Sequence, residues 1–352
     1  MRSQHMMRAR PTATTAQEGM TLVEVLVALT VSLVLLTGVI QIMLSSKQTY
    51  RIQEGTARLQ ENGRFAAQFL ADELRMTGFS GCSSGLTPNN IADLDGDGTP
   101  DNYYNFTADG LQGFEYADLP IVLTAAESLT PADVLNNTDV VVMMYGSTNE
   151  YVQLDGNLAA MNANIQLTPT NMFAPNDILM ISDCTNADIF AATNVANGLA
   201  TTTIAHAAAT NTDVNLSKAY RSDAVVMSFV KSAYYVGTNA AGVPALFRKR
   251  MVGANVQTEE LVEGVENLQI LYGEDTDGDN IANRYANADN VADFSNVVSV
   301  RFAMLVRTPE EVSTELDTKT YTLLDTVVDP VDDRRLRRIF SITVNLRNRS
   351  LG

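Results

Sequence analysis

Two short acidic stretches and one isolated glutamate are the residues of this chain best placed to do chemistry. In Asp93-Leu94-Asp95-Gly96-Asp97-Gly98-Thr99-Pro100-Asp101, the side chains of Asp93, Asp95, Asp97 and Asp101 stand at loop positions one, three, five and nine. Thr99 supplies a backbone carbonyl at position seven, and Gly98 stands at six, where the chain must turn sharply. This is an oxygen set for Ca2+. Tyr104 occupies position twelve, where an EF-hand has glutamate, so the stretch is nearer to the shorter calcium loops of extracellular repeats. Asp275, Asp277, Asp279, Ile281 and Asn283 repeat the spacing with one carboxylate fewer. Asn280 takes the turn position there, and asparagine tolerates left-handed backbone better than most residues. For both stretches the competing reading is a solvated acidic turn without metal.

Other catalytic chemistry is thin. The two histidines are His5 and His206, and neither lies in a serine or acid pattern that would make it a base. There is no glycine-rich phosphate loop and no cysteine cluster for zinc. An enzyme is not expected. Arg334, Arg335, Arg337 and Arg338 form a basic knot that could meet phosphate or DNA. Asp325, Asp329, Asp332 and Asp333 stand beside it, which favours internal charge pairing or a subunit contact.

Glu24 is the third feature. It lies near the start of an apolar run from Met20 to Leu44 that holds no other charge. Such a run is long enough to cross a hydrocarbon core of about 30 Å as a helix. An ionised acid at the centre of such a helix costs on the order of 3 kcal/mol, less toward its end, so it calls for a partner. The chain offers no nearby cation. Ahead of the run stand Arg2, Arg8 and Arg10, then Glu18-Gly19. A secretory signal would place its cleavage site after an apolar stretch, and here the order is reversed. Cleavage after Gly19 would leave the helix on the mature chain with a free amine at Met20. That amine, with a reference pKa near 8, would be largely protonated at pH 7 and could pair with Glu24 of a neighbouring chain.

Gly19-Met20-Thr21-Leu22-Val23-Glu24 resembles the cleavage and methylation motif of type IV prepilins and pseudopilins, with Met20 where phenylalanine is usual. The resemblance implies a membrane peptidase that cuts after Gly19, methylates the new N-terminus, and leaves Glu24 to guide assembly into a helical fibre. Ser45-Ser46-Lys47-Gln48-Thr49-Tyr50-Arg51, Arg58 to Ala66, and Asp72 to Phe79 with Gly81-Cys82 are similar to PilW-type minor pilins of Gram-negative bacteria. So are Val306 to Glu311, Arg334 to Phe340 and Val344 to Arg349. The expected role is a minor pilin that initiates or caps type IV pilus assembly within a complex at the fibre tip. The expected partners are other minor pilins, the major pilin, prepilin peptidase, a large tip adhesin and the inner membrane. Two alternatives stay open: a J-type pseudopilin of a type II secretion system, or a pilus-borne adhesin or DNA-binding subunit. Before assembly the resemblance implies a single pass with cytoplasmic N-terminus and periplasmic head, and afterwards an extracellular pilus.

The elements that must carry these residues follow from patterning. From Ser45 to Thr77 there is no proline, and Ile52, Thr56, Leu59, Gly63, Ala66, Leu70 and Leu74 recur every three or four residues. A single helix from Met20, ended by Gly78, would be roughly 85 Å long. Strands are expected over Asp139–Tyr145, Asp177–Ser182, Ala224–Val236, Ala245–Arg250, Val297–Val306 and Ile339–Leu346. A short helix is expected over Thr258–Gln269, from Leu261, Val265 and Leu268 after a Thr258 cap. The fold class is α+β: a long N-terminal transmembrane and amphipathic helix packed on an antiparallel β-sheet head, a pilin fold with an inserted β-rich region. The divisions are a leader at 1–19, a transmembrane part at 20–44, an amphipathic part at 45–78 and a head at 79–352, with a variable insert at about 86–255.

The formal charge is −17, and cleavage after Gly19 would remove three arginines and one glutamate, leaving −19. Such acidity disfavours general nucleic-acid binding, which draws its affinity from cations meeting phosphates. Cys82 and Cys184 are the two cysteines, and in an oxidising periplasm they are most simply one disulfide, with a pair of free thiols as the alternative.

Overall fold

The computed structural model describes residues 19–81, 86–123, 128–252 and 255–349. One helix, α1 (Leu22–Met76), runs through two compact units that divide between Gln53 and Glu54. In the first unit the apolar side chains of α1 point outward on all sides, with Leu22, Leu33, Val34 and Met43 all more than 60% exposed. A helix apolar all round has no aqueous face, and this one is long and apolar enough to cross a membrane. Its hydroxyls are satisfied within the helix: Thr30 donates to Val27 O, Ser32 to Ala28 O and Thr37 to Leu33 O. Lipid demands such internal bonding.

The second unit is the head, Glu54–Gly352. Its part of α1 buries Gly55, Leu59, Gly63, Ala66, Ala67, Leu70, Ala71 and Leu74, a seam of small and aliphatic residues close to the one read from the sequence. The main strands are β1 (Leu111–Phe114), β2 (Val140–Gln153), β3 (Ile178–Ser182), β4 (Ala187–Ala191), β5 (Val225–Thr238), β6 (Pro244–Val252), β7 (Asn255–Glu263), β8 (Val265–Glu274), β9 (Val297–Arg307) and β10 (Arg337–Asn345). β4, β3, β5, β6 and β7 form an antiparallel sheet, with β2 also paired to β5 and β1 to β2. A second antiparallel sheet runs Arg284–Ala286, β8, β9, β10.

One core joins α1 to both sheets: Leu70 and Leu74 pack with Met143, Tyr234, Leu268, Phe302 and Val344. On β9, Val300, Phe302, Met304 and Val306 face this core, while Ala303 and Leu305 face a hairpin at 321–328. The alternation read from the sequence is therefore present, but both faces of β9 are covered. The inserted region has a core of its own around Ile165, Leu167, Phe190 and Tyr220, and a three-stranded sheet of Ile165–Leu167, Thr202–Ala205 and Asn194–Asn197.

The expected strands lie within β2, β3, β5, β6, β9 and β10 to within two residues at each end, except that β2 runs on past Tyr145 to Gln153. The helix expected over Thr258–Gln269 is not formed. That segment is the end of β7 and the start of β8, strands of two different sheets, joined through Gly264 with φ +89°. A left-handed residue cannot sit inside a right-handed helix. Thr258, taken as a cap, pairs with Lys249 across the β6–β7 ladder.

Candidate functional site

At its start α1 is closed by a reciprocal cap. Glu24 Oε2 accepts from Thr21 N and Thr21 Oγ1, both at 3.1 Å, and Glu24 N donates to Thr21 Oγ1 at 3.3 Å. The Thr-x-x-Glu spacing makes this possible, because the third helical residue reaches back over the first turn. Glu24 Oε1 makes no hydrogen bond among the described residues. Gly19 and Met20 lie just ahead of the helix and are exposed.

Near the other end of α1, inside the head, Glu73 ties the helix to the large sheet. Its Oε2 accepts from Tyr145 OH at 2.6 Å and Tyr234 OH at 2.8 Å. Arg248 lies 3.8 Å from Glu73 Oε1 and bonds Glu259 at 2.5 Å. Burial, then the Glu73 carboxylate, pushes both phenols up, so they stay donors. Nothing in the local pattern announces this network, whose partners come from β2, β5 and β6.

The two acidic loops share one hydrogen-bonding scheme. Asp93 accepts from Gly96 N and Gly98 N, and Asp275 accepts from Gly278 N and Asn280 N, three and five residues on in each case. The backbone is left-handed at the same two places, Gly96 and Gly98 in one loop, Gly278 and Asn280 in the other. Carboxylate oxygens of Asp93, Asp95 and Asp101 come within 4.8 Å of one another, as do those of Asp275, Asp277 and Asp279. The loops do not gather every residue read from the sequence. Asp97 turns aside to Thr99, whose hydroxyl and amide hold its carboxyl below the usual range. Asn283 accepts from Thr276, and the Ile281 side chain is exposed. Burial, with Asp95 and Asp93 adding to it, holds the Asp101 carboxyl above its ordinary range. Three carboxylates so placed offer the oxygen ligands that a hard divalent cation takes.

Cys184 is disulfide-bonded, while Cys82 falls outside the described residues. The arginine knot serves the fold. The Arg337 side chain is fully buried and bonds Glu266, Asp333 and Asp317 at 2.6, 2.8 and 3.3 Å. Arg335 lies near Asp333 and Glu311.

A cleft of about 870 Å³ lies among Glu115, Asp139, Glu266, Asn267, Gln269 and the 326–331 segment. No motif or spacing in the sequence points to it. Asp139 is 5% exposed, and Glu115 lines the same cleft. Ile270 N donates to Asp139 Oδ2 at 2.7 Å and Ala288 N to Glu115 Oε1 at 3.0 Å. Burial, then Glu115, pushes the Asp139 carboxyl up to about 8. A second carboxylate beside a buried carboxyl disfavours its ionised form.

Comparison with known proteins now adds to this geometry. Residues 14–40 match the prokaryotic N-terminal methylation motif, the segment that holds Gly19, Met20 and Glu24. Residues 233–348, which run from within β5 through β10, match the family described as type IV pilus-assembly protein W. The chain thus joins a prepilin-type N-terminal motif to a C-terminal region similar to the PilW family. Of the three C-terminal segments singled out above, Val306–Glu311 and Arg334–Phe340 fall inside that match and Val344–Arg349 runs one residue past it; the segments from Ser45 to Cys82 fall outside both matches. Among solved structures, a type IV-like pilin from Thermus thermophilus aligns over 84% of this chain and 99% of its own, at 11% identity and a TM-score of 0.34. No curated protein matches the sequence.

Proposed function

We propose that this chain is a minor pilin that takes part in initiating or capping type IV pilus assembly within a tip complex. The observation that carries the reading is Glu24: a lone acid in the first turn of an apolar helix, within a methylation motif, on a chain whose C-terminal third is PilW-like. Prepilin peptidase would cut between Gly19 and Met20. In the single chain Glu24 is bonded through Oε2 to its own Thr21, which leaves Oε1 for the Met20 amine of a neighbouring subunit. The partners are other minor pilins and the major pilin, and a large tip adhesin would sit beyond them. The head lies on the periplasmic side before assembly and on the pilus afterwards. Changing Glu24 to valine is expected to leave membrane insertion intact and to reduce incorporation into pili at least tenfold. Normal incorporation of that variant would refute the reading.

In the same reading the two acidic loops hold Ca2+ through Asp93, Asp95 and Asp101, and through Asp275, Asp277 and Asp279. Its role there is to stiffen the loops of an extracellular head. Support comes from the shared hydrogen-bonding scheme of the two loops and their converged oxygens.

A further inference from the structure

β10 closes one side of the second sheet. It pairs with β9 from Ser299 opposite Asn345 to Arg307 opposite Arg337. Just past its end, Leu346 N donates to Val298 O at 2.9 Å. In an antiparallel ladder hydrogen-bonded pairs alternate with non-bonded ones, so the even-numbered amides of β10 point at β9. Ile339, Ser341, Thr343 and Asn345 therefore direct their N–H and C=O groups the other way, and among the described residues no strand pairs with that side.

Natural sheets protect such an edge with charge, proline, a bulge or a covering element. Here the charges stand only at the ends, on Arg337 and Arg338 and on Arg347 beyond the strand. Ile339-Phe340-Ser341-Ile342-Thr343-Val344 between them has no charge, proline or glycine. An exposed, β-prone segment of six residues with that composition is an aggregation hazard if nothing covers it. The space beside it is already shaped. Arg64, Ala67, Ala71 and Arg75 of α1 and Phe340 and Ile342 of β10 line a groove of about 320 Å³. Its two charged liners are both arginines, on a chain of net charge −17, and Arg338 stands exposed over the Phe340 ring. Arg75 also pairs with Asp72, which leaves Arg64 as the freer cation.

The geometry points to an occupant: we infer that the outer edge of β10 accepts an extended segment of a neighbouring pilin subunit as a fifth strand, seated beneath the flank of α1. That segment would be apolar where it faces Ala67 and Ala71, and acidic near its ends to meet Arg64 and Arg338. This deepens the minor-pilin reading and rests on it.

The test uses the full-length chain, in detergent and in sheared pili. Proline at position 341 deletes an amide that faces away from β9, a place where edge strands accept proline. The Ser341→Pro head is expected to keep the wild-type unfolding midpoint while incorporation into pili falls at least tenfold. Ile342→Pro removes a bond to β9 and serves as the variant that damages the fold itself. In the wild-type chain, the amides of Ile339, Ser341 and Thr343 are expected to exchange at least 100-fold more slowly in pili than in detergent. Equal exchange in the two states, or Ser341→Pro pili at the wild-type level, overturns the inference while leaving the minor-pilin reading intact. A wild-type chain absent from pili would overturn both.

Discussion

The Asp139–Glu115 pair makes head stability fall as pH rises through a range where few other groups titrate. An unfolded aspartate ionises near 3.9, whereas in the folded head the Asp139 carboxyl is pushed up to about 8. The folded state therefore binds about one more proton than the unfolded state between these values. The stabilisation is complete below the unfolded pKa and is lost progressively as pH approaches 8. The slope for one proton is about 1.4 kcal/mol per pH unit, or roughly 2.7 kcal/mol lost between pH 5 and pH 7. Glu115, also raised by burial, acts in the same direction. Opposite contributions come from Glu259 and Asp333, held low by Arg248 and Arg337 despite some burial, and these act below pH 5. Lys231, pushed down to about 8 by burial, acts from that value upward. Asp139→Asn keeps the shape and accepts from Ile270 N through its oxygen. Urea unfolding of the full-length chain in detergent, followed by tyrosine fluorescence since the chain has no tryptophan, should show a steep decline for wild type from pH 5 to 7. The decline should be at least halved in Asp139→Asn. Parallel curves for the two proteins would refute the raised Asp139 carboxyl.

Other substitutions test the packing and the loops. A Cβ at Gly63 would stand 2.1 Å from the Phe340 ring, so Gly63→Ala should destabilise the head by about 1–3 kcal/mol, read from the urea midpoint. Arg337→Ala leaves Glu266, Asp317 and Asp333 without their buried cation and should cost about 3–5 kcal/mol in the same assay. With calcium at 100 times its Kd at one loop, chelation should lower stability by about 2.7 kcal/mol. Asp93→Asn together with Asp95→Ala should remove most of that response; a melting temperature indifferent to calcium would dismiss the metal.

The long helix and the sheets were legible because each carries its own period. Leu59, Ala66, Leu70 and Leu74 repeat at helical spacing, and Val300, Phe302, Met304 and Val306 at the spacing of a strand. Where the two periods overlap the reading failed: Leu261, Val265 and Leu268 fit a helix by spacing, and only the left-handed turn at Gly264 excludes it. The acidic loops were legible as spacing, since the same scheme recurs at Asp93 and Asp275. Which oxygens converge was not, because Asp97 and Asn283 are drawn aside by threonines beside them or across the turn. Glu73 with its tyrosines and Asp139 with Glu115 left no local trace, since each group is joined only when distant strands meet.

The most direct measurement is the N-terminus of the protein in sheared pili, read by intact mass and peptide sequencing. A chain that begins at N-methylated Met20 is the expected result. A chain in the fibre that still begins upstream of Met20 would contradict the account, because Glu24 would then have no neighbouring amine to meet.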